Sequence, residues 1–222
     1  MIWIGADPGG KRKFGAAVLF DDSSHDCKDV SSVPEFINFI QRKLDLRGDG
    51  TLVLPSGVGI DAPLWWSKKE GGSRKADEWI RDQYEVGSSV LSINSLQGAV
   101  LVQGIILAKE LRRVFPNIKI TESHPKALLK AKYGKCKETA SAGRFFEEHQ
   151  IKIDSSRKIS DHQTDALIAA ICARETFQLR WERNLARDPG NAGEINAGIE
   201  DVHYGWPDAP PNKVESSSPG TH

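Results

Sequence analysis

The chain is short of features that would place it outside the cell or in a membrane. It has three cysteines, Cys27, Cys136 and Cys172, far apart, with no Cys-x-x-Cys pair. That excludes a disulfide framework and the usual zinc spacings, and leads us to expect reduced thiols in a cytoplasmic protein. The longest apolar run, residues 166–173, is far shorter than a membrane span. The N-terminus has no basic start followed by a long apolar stretch, so no signal peptide and no membrane partner are expected. There is also no excess of either charge: 30 basic residues balance 30 acidic ones in 222. Broad binders of duplex nucleic acid carry a positive surplus, so any basic surface here has to be local. No internal repeat is visible, and Gly9-Gly10 is not followed by the Gly-Lys-Ser/Thr of a phosphate-binding loop.

What the chain does have is a set of acids at the ends or starts of apolar segments. Asp7 closes Ile2-Trp3-Ile4-Gly5-Ala6 and is followed by Pro8-Gly9-Gly10 and a second apolar run, 14–20. This is the pattern of a strand hairpin. Asp61 follows Gly57-Val58-Gly59-Ile60, Glu122 follows Ile118-Lys119-Ile120-Thr121, and Asp165 precedes the apolar run of 166–173. Strands disfavour aspartate, and burying an unpaired carboxylate is costly. We therefore expect these acids to converge on one divalent-metal site. A hard cation such as Mg²⁺ or Mn²⁺ takes carboxylate oxygens, and paired ions of that kind promote phosphodiester hydrolysis.

The remaining pattern predicts a third short strand at 27–31, a helix over 33–44 capped by Ser32, and strands at 51–54 and 58–60. A loop at 62–73 follows, then helices over 74–84 and 95–115, the second well buried on its apolar stripe. A strand at 118–121 delivers Glu122, and helices over 125–133 and 139–149 meet at Gly134. Ser160-x-x-Gln163 has the form of a capping box opening a helix to about Arg180. Residues 188–222, rich in Pro, Gly, Ser and Asn, read as an irregular or disordered tail to one domain of 1–187. Asp161 and Asp165 are four apart and share one side of the last helix.

Each of these residues has a plainer role open to it. Asp7 is also a good turn former, Asp161 an ordinary first-turn residue, and Glu122 a partner for a lysine. His124 and His162 each neighbour an acid and suit either a ligand or a surface role. Trp65 and Trp66 are candidates for stacking on bases or for packing. Arg74, Arg81, Lys126, Lys130, Lys132, Lys135 and Lys137 are candidates for phosphates or for a solvated face.

The motifs resemble the RNase H-like superfamily. Asp7-Pro8-Gly9-Gly10 with Gly15 is similar to the first-strand hairpin of its Holliday-junction resolvases, and Asp161-His162-Gln163-Thr164-Asp165-Ala166 to their C-terminal catalytic helix. A closer resemblance is to an uncharacterised family of predicted RNase H-like nucleases. It is carried by Gly59-Ile60-Asp61-Ala62-Pro63, Arg74-x-x-Asp77, Glu122-Ser123-His124-Pro125 and Asp165-Ala166, over roughly residues 1–180.

The resemblance implies an α/β fold, a mixed five-stranded sheet flanked by helices with a helical insertion. It implies a metal-dependent nuclease, a hydrolase acting on DNA or RNA. Asp7, Asp61, Glu122 and Asp165 would be catalytic, Asp7, Asp61, Asp161 and Asp165 the metal ligands, and Trp65, Trp66, Arg74 and Lys126 the substrate contacts. Resolvases commonly have glutamate where Asp61 stands. Two other readings stay open: a non-catalytic nucleic-acid or partner-binding module on the same fold, and an actin-like nucleotide-binding phosphotransferase.

Overall fold

The first apolar run pairs with the second because both are continuous, apolar and joined by a glycine turn. Strand β1 (Ile2–Asp7) runs antiparallel to β2 (Phe14–Phe20), from Ile2 opposite Phe20 to Asp7 opposite Gly15. The computed structural model describes residues 1–9, 13–45, 53–66, 73–84, 86, 98–134, 138–154, 159–187, 195–196, 199 and 201–207, without the side chains of 66, 98, 99, 195 and 196. The outer part of the first turn, 10–12, therefore lies outside the described residues, as do Lys68, Lys69, Lys135, Cys136, Lys137 and 208–222.

The third strand, β3 (His25–Val30), starts two residues earlier than its sequence suggests and pairs antiparallel with β2. Helix α1 (Val33–Asp45) opens on the expected cap: the Ser32 hydroxyl accepts the Glu35 N–H at 3.4 Å, and the Glu35 carboxylate accepts the Ser31 N–H at 2.9 Å. It buries Val33, Phe36, Ile37, Phe39, Ile40 and Leu44. Strand β4 (Gly57–Ile60) then runs parallel to β1. Val53 and Leu54 form no strand, and 51–52 are outside the described residues.

The segment expected as a loop after Asp61 holds a two-residue strand, β5 (Trp65–Trp66), followed by helices α2 (Lys75–Tyr84) and α3 (Gly98–Val114). The expectation of a well-buried α3 is corrected. Leu107, Ala108 and Leu111 are buried, but Val102 and Ile106 are 54% and 50% exposed. The wide apolar stripe exceeds the surface its neighbours cover.

Strand β6 (Lys119–Glu122) is parallel to β4, and helices α4 (Pro125–Tyr133) and α5 (Glu138–Glu148) follow. Gly134 ends α4 at φ +69°, the left-handed region that glycine enters freely. Helix α6 (Asp161–Phe177) begins at Ser160, whose hydroxyl accepts the Gln163 N–H. The second half of the capping box is redirected: Gln163 Nε2 donates to Asp29 on β3 at 2.9 Å, and Ser160 Oγ donates to the same carboxylate at 2.6 Å. Asp29 thus ties the start of α6 to the sheet.

The tail expected from 188 onward is corrected in part. Strands β7 (Arg183–Asn184), β8 (Ile195–Asn196), β9 (Val202–His203) and β10 (Gly205–Trp206) follow α6. β9 joins the main sheet parallel to β6, β10 pairs with β7, and β8 pairs with β5. Tyr204 and Trp206 are buried. The folded unit therefore runs past the expected boundary at 187, because the aromatic group Tyr204-Gly205-Trp206 has apolar surface to bury.

Among the described residues the main sheet has six strands, not five, in the order β3-β2-β1-β4-β6-β9, antiparallel on the β3 side and parallel from β1 onward. Among the described residues it carries six α-helices and is an α/β architecture. No helix among them is long and apolar enough to cross a membrane.

Helix α6 lies across the centre of this sheet, and small residues make that possible. A Cβ built on Gly5 would sit 1.7 Å from Ala166 O, and one on Gly59 would sit 2.0 Å from Ala169 O. Glycine at both positions, facing the alanines of α6, lets the helix backbone rest directly on β1 and β4. Residues 165–176 are all buried, as expected for a helix with no solvent stripe.

Candidate metal centre

Strands β1, β4 and β6 are parallel, so their C-terminal ends form one edge. Asp7 is the last residue of β1, Asp61 follows β4 directly, and Glu122 ends β6. The Asp61 N–H donates to Ala6 O at 2.8 Å, which holds Asp61 beside the end of β1.

Side-chain alternation then decides which acids meet. Gly5 and Gly59 face α6, so Asp7 and Asp61, two residues further on, face the same way. Glu122 pairs in register with Ile60, not Gly59, and so starts on the opposite face of the sheet. Asp165 comes from the second turn of α6, one residue before the Ala166 carbonyl that Gly5 admits.

Asp7, Asp61 and Asp165 line one cleft of about 210 Å³ with Ser123, Lys126 and His162. Their electrostatics record the convergence. Burial, then the Asp7 and Asp165 charges, push the Asp61 carboxyl well above the usual carboxylate range. Burial, then Asp7, push Asp165 up to about 7. Asp7 is raised by burial and partly brought back by His162, whose Nδ1 is hydrogen-bonded to Asp7 Oδ2 at 2.6 Å. The same hydrogen bond raises the His162 imidazole against its own burial. Lys126 Nζ lies 3.9 Å from Asp165 Oδ2 and lowers all three carboxyls, though the lysine side chain is half exposed.

Three carboxyls, all raised by burial, with Asp7 raising both of the others, mark a place short of positive charge. Ser123 adds a hydroxyl that is buried, lines the cleft and has no hydrogen-bond partner among the described residues. The carboxyls and the hydroxyl are hard oxygen donors of the kind Mg²⁺ or Mn²⁺ takes, the imidazoles of His124 and His162 line the same cleft, and no thiol does. Among the described residues, no three His, Cys, Asp or Glu side chains are already closed into a metal-ligating group. The carboxyls share the cleft without being drawn around a common point.

The other site residues suggested by the sequence fall elsewhere. Asp161 is exposed and does not line the cleft. It opens α6 ahead of the first close approach to the sheet, His162 O against Gly15, and helical side chains lean toward the N-terminus. Sharing a helix side with Asp165 does not bring it into the cleft.

Glu122 borders the cleft but is engaged by Arg74, with Nη1–Oε2 at 2.9 Å and Nη2–Oε1 at 2.5 Å, and it accepts the Leu64 N–H at 3.0 Å. Arg74 is buried and also forked onto Asp77, with Nε–Oδ2 at 2.7 Å and Nη2–Oδ1 at 2.8 Å. It lies 4.4 Å above the Trp65 ring, and Trp65 is buried against Tyr204. Arg74 and Trp65 therefore brace the loop after Asp61 from inside the fold. The side chain of Trp66 lies outside the described residues. Of the three expected substrate contacts whose side chains are described, Lys126 alone stands half exposed on the cleft. Arg81 bonds Ser73 Oγ at 2.7 Å, and Lys132 pairs with Glu148.

Sequence reasoning passed over Asp29 and Tyr204. Asp29 stands in a strand, where aspartate is disfavoured, and that oddity was its signal. Tyr204 was hidden in a polar tail, although the aromatic run around it is unusual for such a segment. Its hydroxyl lies 3.2 Å from His124 Nδ1.

In comparisons with protein-family models, curated proteins and solved structures, nothing matches this chain.

Proposed function

We propose that the chain is a divalent-metal-dependent nuclease that hydrolyses phosphodiester bonds in nucleic acid, on a sheet of RNase H-like type. The observation that carries this is the meeting of Asp7, Asp61 and Asp165, from three separate elements, in one cleft with too little positive charge for their number. The hairpin β1–β2 with β3, the parallel strands beyond it and the helix crossing β1 support the RNase H-like reading of the sheet.

In this reading Asp7, Asp61 and Asp165 hold Mg²⁺ or Mn²⁺. A bound ion of this kind supplies Lewis acidity toward a phosphate oxygen and toward water. His162 fixes the rotamer of Asp7 through the Nδ1–Oδ2 hydrogen bond. Lys126, half exposed at the rim, meets the negative charge of the phosphate and loses its pull on Asp165 when a cation enters. Glu122 and Arg74 hold the loop after Asp61 through the Leu64 N–H and the Trp65 carbonyl.

The test is a panel of single-stranded and duplex DNA and RNA with Mg²⁺ or Mn²⁺, comparing wild type with Asp7→Asn and Asp165→Asn. Metal-dependent cleavage by wild type, reduced at least about a hundredfold in both variants, is expected. Equal cleavage by all three proteins rejects the site. Calorimetry with Mn²⁺ that shows binding to wild type but no cleavage of any substrate assigns the cleft to a non-catalytic binding module instead.

A further inference from the structure

The opposite end of the sheet carries a different surface. The start of β6, the end of α6 and the segment 181–187 enclose a hollow of about 690 Å³. Its described lining includes four basic side chains, Arg112, Lys119, Arg183 and Arg187, and two acidic ones, Glu182 and Asp201. The whole chain is balanced at 30 against 30, so this is a local excess. Its effect is visible on His203, which faces the same hollow. Burial and then the Arg187 guanidinium hold that imidazole below its ordinary range, Lys119 adds to them, and Asp201 opposes. The share of that effect owed to Arg187 and Lys119 is one that a bound anion would offset.

The hollow also offers rings. Trp181 lines it half-buried. Phe177 and His203 meet edge-on at 5.1 Å, and Lys119 Nζ stands 5.7 Å over the Phe177 ring. Arg187 and Lys119 are exposed, so their charges reach a ligand from solvent. Basic groups beside flat rings are what nucleotides ask of a surface: cations for the phosphate and a π-face for the base. The volume falls in the range of small-ligand sites.

We infer that this hollow binds a nucleotide phosphate, with Arg112, Lys119 and Arg187 on the phosphate oxygens and the Trp181 ring against the base. The ligand is either a free mononucleotide or one unit of a single strand; both present the same chemistry. The site is separate from the carboxylate cleft. His162 borders one and Phe177 the other, and the fifteen helical steps of α6 from one to the other span about 22 Å. It goes beyond the nuclease reading and does not need it.

The test uses the full chain carrying Asp7→Asn, so that a strand stays intact. It is titrated with AMP, with oligothymidylate and with inorganic phosphate at two salt concentrations. Tryptophan fluorescence is the signal, and Trp181→Phe shows which part of it comes from the hollow. AMP or oligothymidylate should quench Trp181, and the pair Arg187→Glu with Lys119→Glu should weaken binding about tenfold or more. Both positions are exposed, so the melting temperature should hold; the milder Arg187→Gln with Lys119→Gln should lose affinity in the same direction. Tighter binding of oligothymidylate with a steeper salt dependence identifies a strand, and equal binding of AMP identifies a mononucleotide. Inorganic phosphate binding as tightly as both removes any role for the ring and overturns the nucleotide assignment. So does binding that charge reversal leaves untouched, or no binding in any arm. Failure of metal-dependent cleavage has no bearing on these readouts.

Discussion

Asp165→Asn should stabilise the metal-free protein at alkaline pH while destroying its metal response. The carboxyl of Asp165 is buried, 6% exposed, and burial with the Asp7 charge pushes it from an ordinary 3.8 up to about 7. A carboxyl raised in the folded state makes that state hold its proton longer than the unfolded chain does. The contribution of Asp165 to stability is then fullest near pH 4 and below, and is lost as pH rises toward 7, after which the loss is complete. Each pKa unit corresponds to about 1.4 kcal/mol, so the charged Asp165 costs the fold on the order of 4 kcal/mol at pH 8. Asparagine keeps the shape and drops the charge. It also gives up the contact with Lys126 at 3.9 Å, but that lysine is half exposed and the pair is worth less than about 1 kcal/mol.

The expected result is a melting temperature about 5–10 °C above wild type at pH 8 and equal to it near pH 4, read by scanning calorimetry in EDTA. Adding Mn²⁺ should raise the melting temperature of wild type at pH 8 and leave the variant almost unchanged. A variant no more stable than wild type at pH 8, or one whose advantage does not grow with pH, would refute the reasoning. The carboxyls would then not be crowded.

Gly59→Ala places a Cβ 2.0 Å from the Ala169 carbonyl, so urea unfolding should show a loss of about 3 kcal/mol or more together with a lost Mn²⁺ response. Gly143→Ala is its control: Gly143 lies exposed on α5 with nothing near a Cβ, and should gain about 0.5–1 kcal/mol. Arg74→Met leaves Asp77 and Glu122 buried without their cation and should cost about 3–5 kcal/mol, measured by the same unfolding curves. Asp161→Asn, by contrast, should leave metal affinity within about twofold of wild type by calorimetry, because its side chain is outside the cleft.

Much of the fold was legible because its signals are local. Continuous apolar runs marked β1, β2 and β4, helical spacing marked α1, α2 and α4, and Ser160 marked the start of α6. The misses were of another kind. Val102 and Ile106 have the right spacing for a buried stripe, but spacing does not say whether a neighbour covers the whole stripe. The strands of 202–206 are two residues long and have no periodicity to read, and only the edge of β6 for β9, and β7 for β10, give them a reason to pair. Within the site, Asp161 and Asp165 look equivalent on a helix diagram, and their depth along the sheet separates them.

The sequence by itself determined that acids stand at the ends of apolar segments, and that these segments are strands and a helix. It could do so because hydrophobic periodicity and caps depend on residues a few positions apart. Which acids share a cleft was decided only by the tertiary structure. Strand register put Asp7 and Asp61 on the α6 face and Glu122 on the other, where Arg74 neutralises it. Gly5 and Gly59 let α6 settle close enough to bring in Asp165. Register pairs residues 54 positions apart between β1 and β4 and 62 apart between β4 and β6, close approach joins residues more than a hundred apart, and no local pattern contains either.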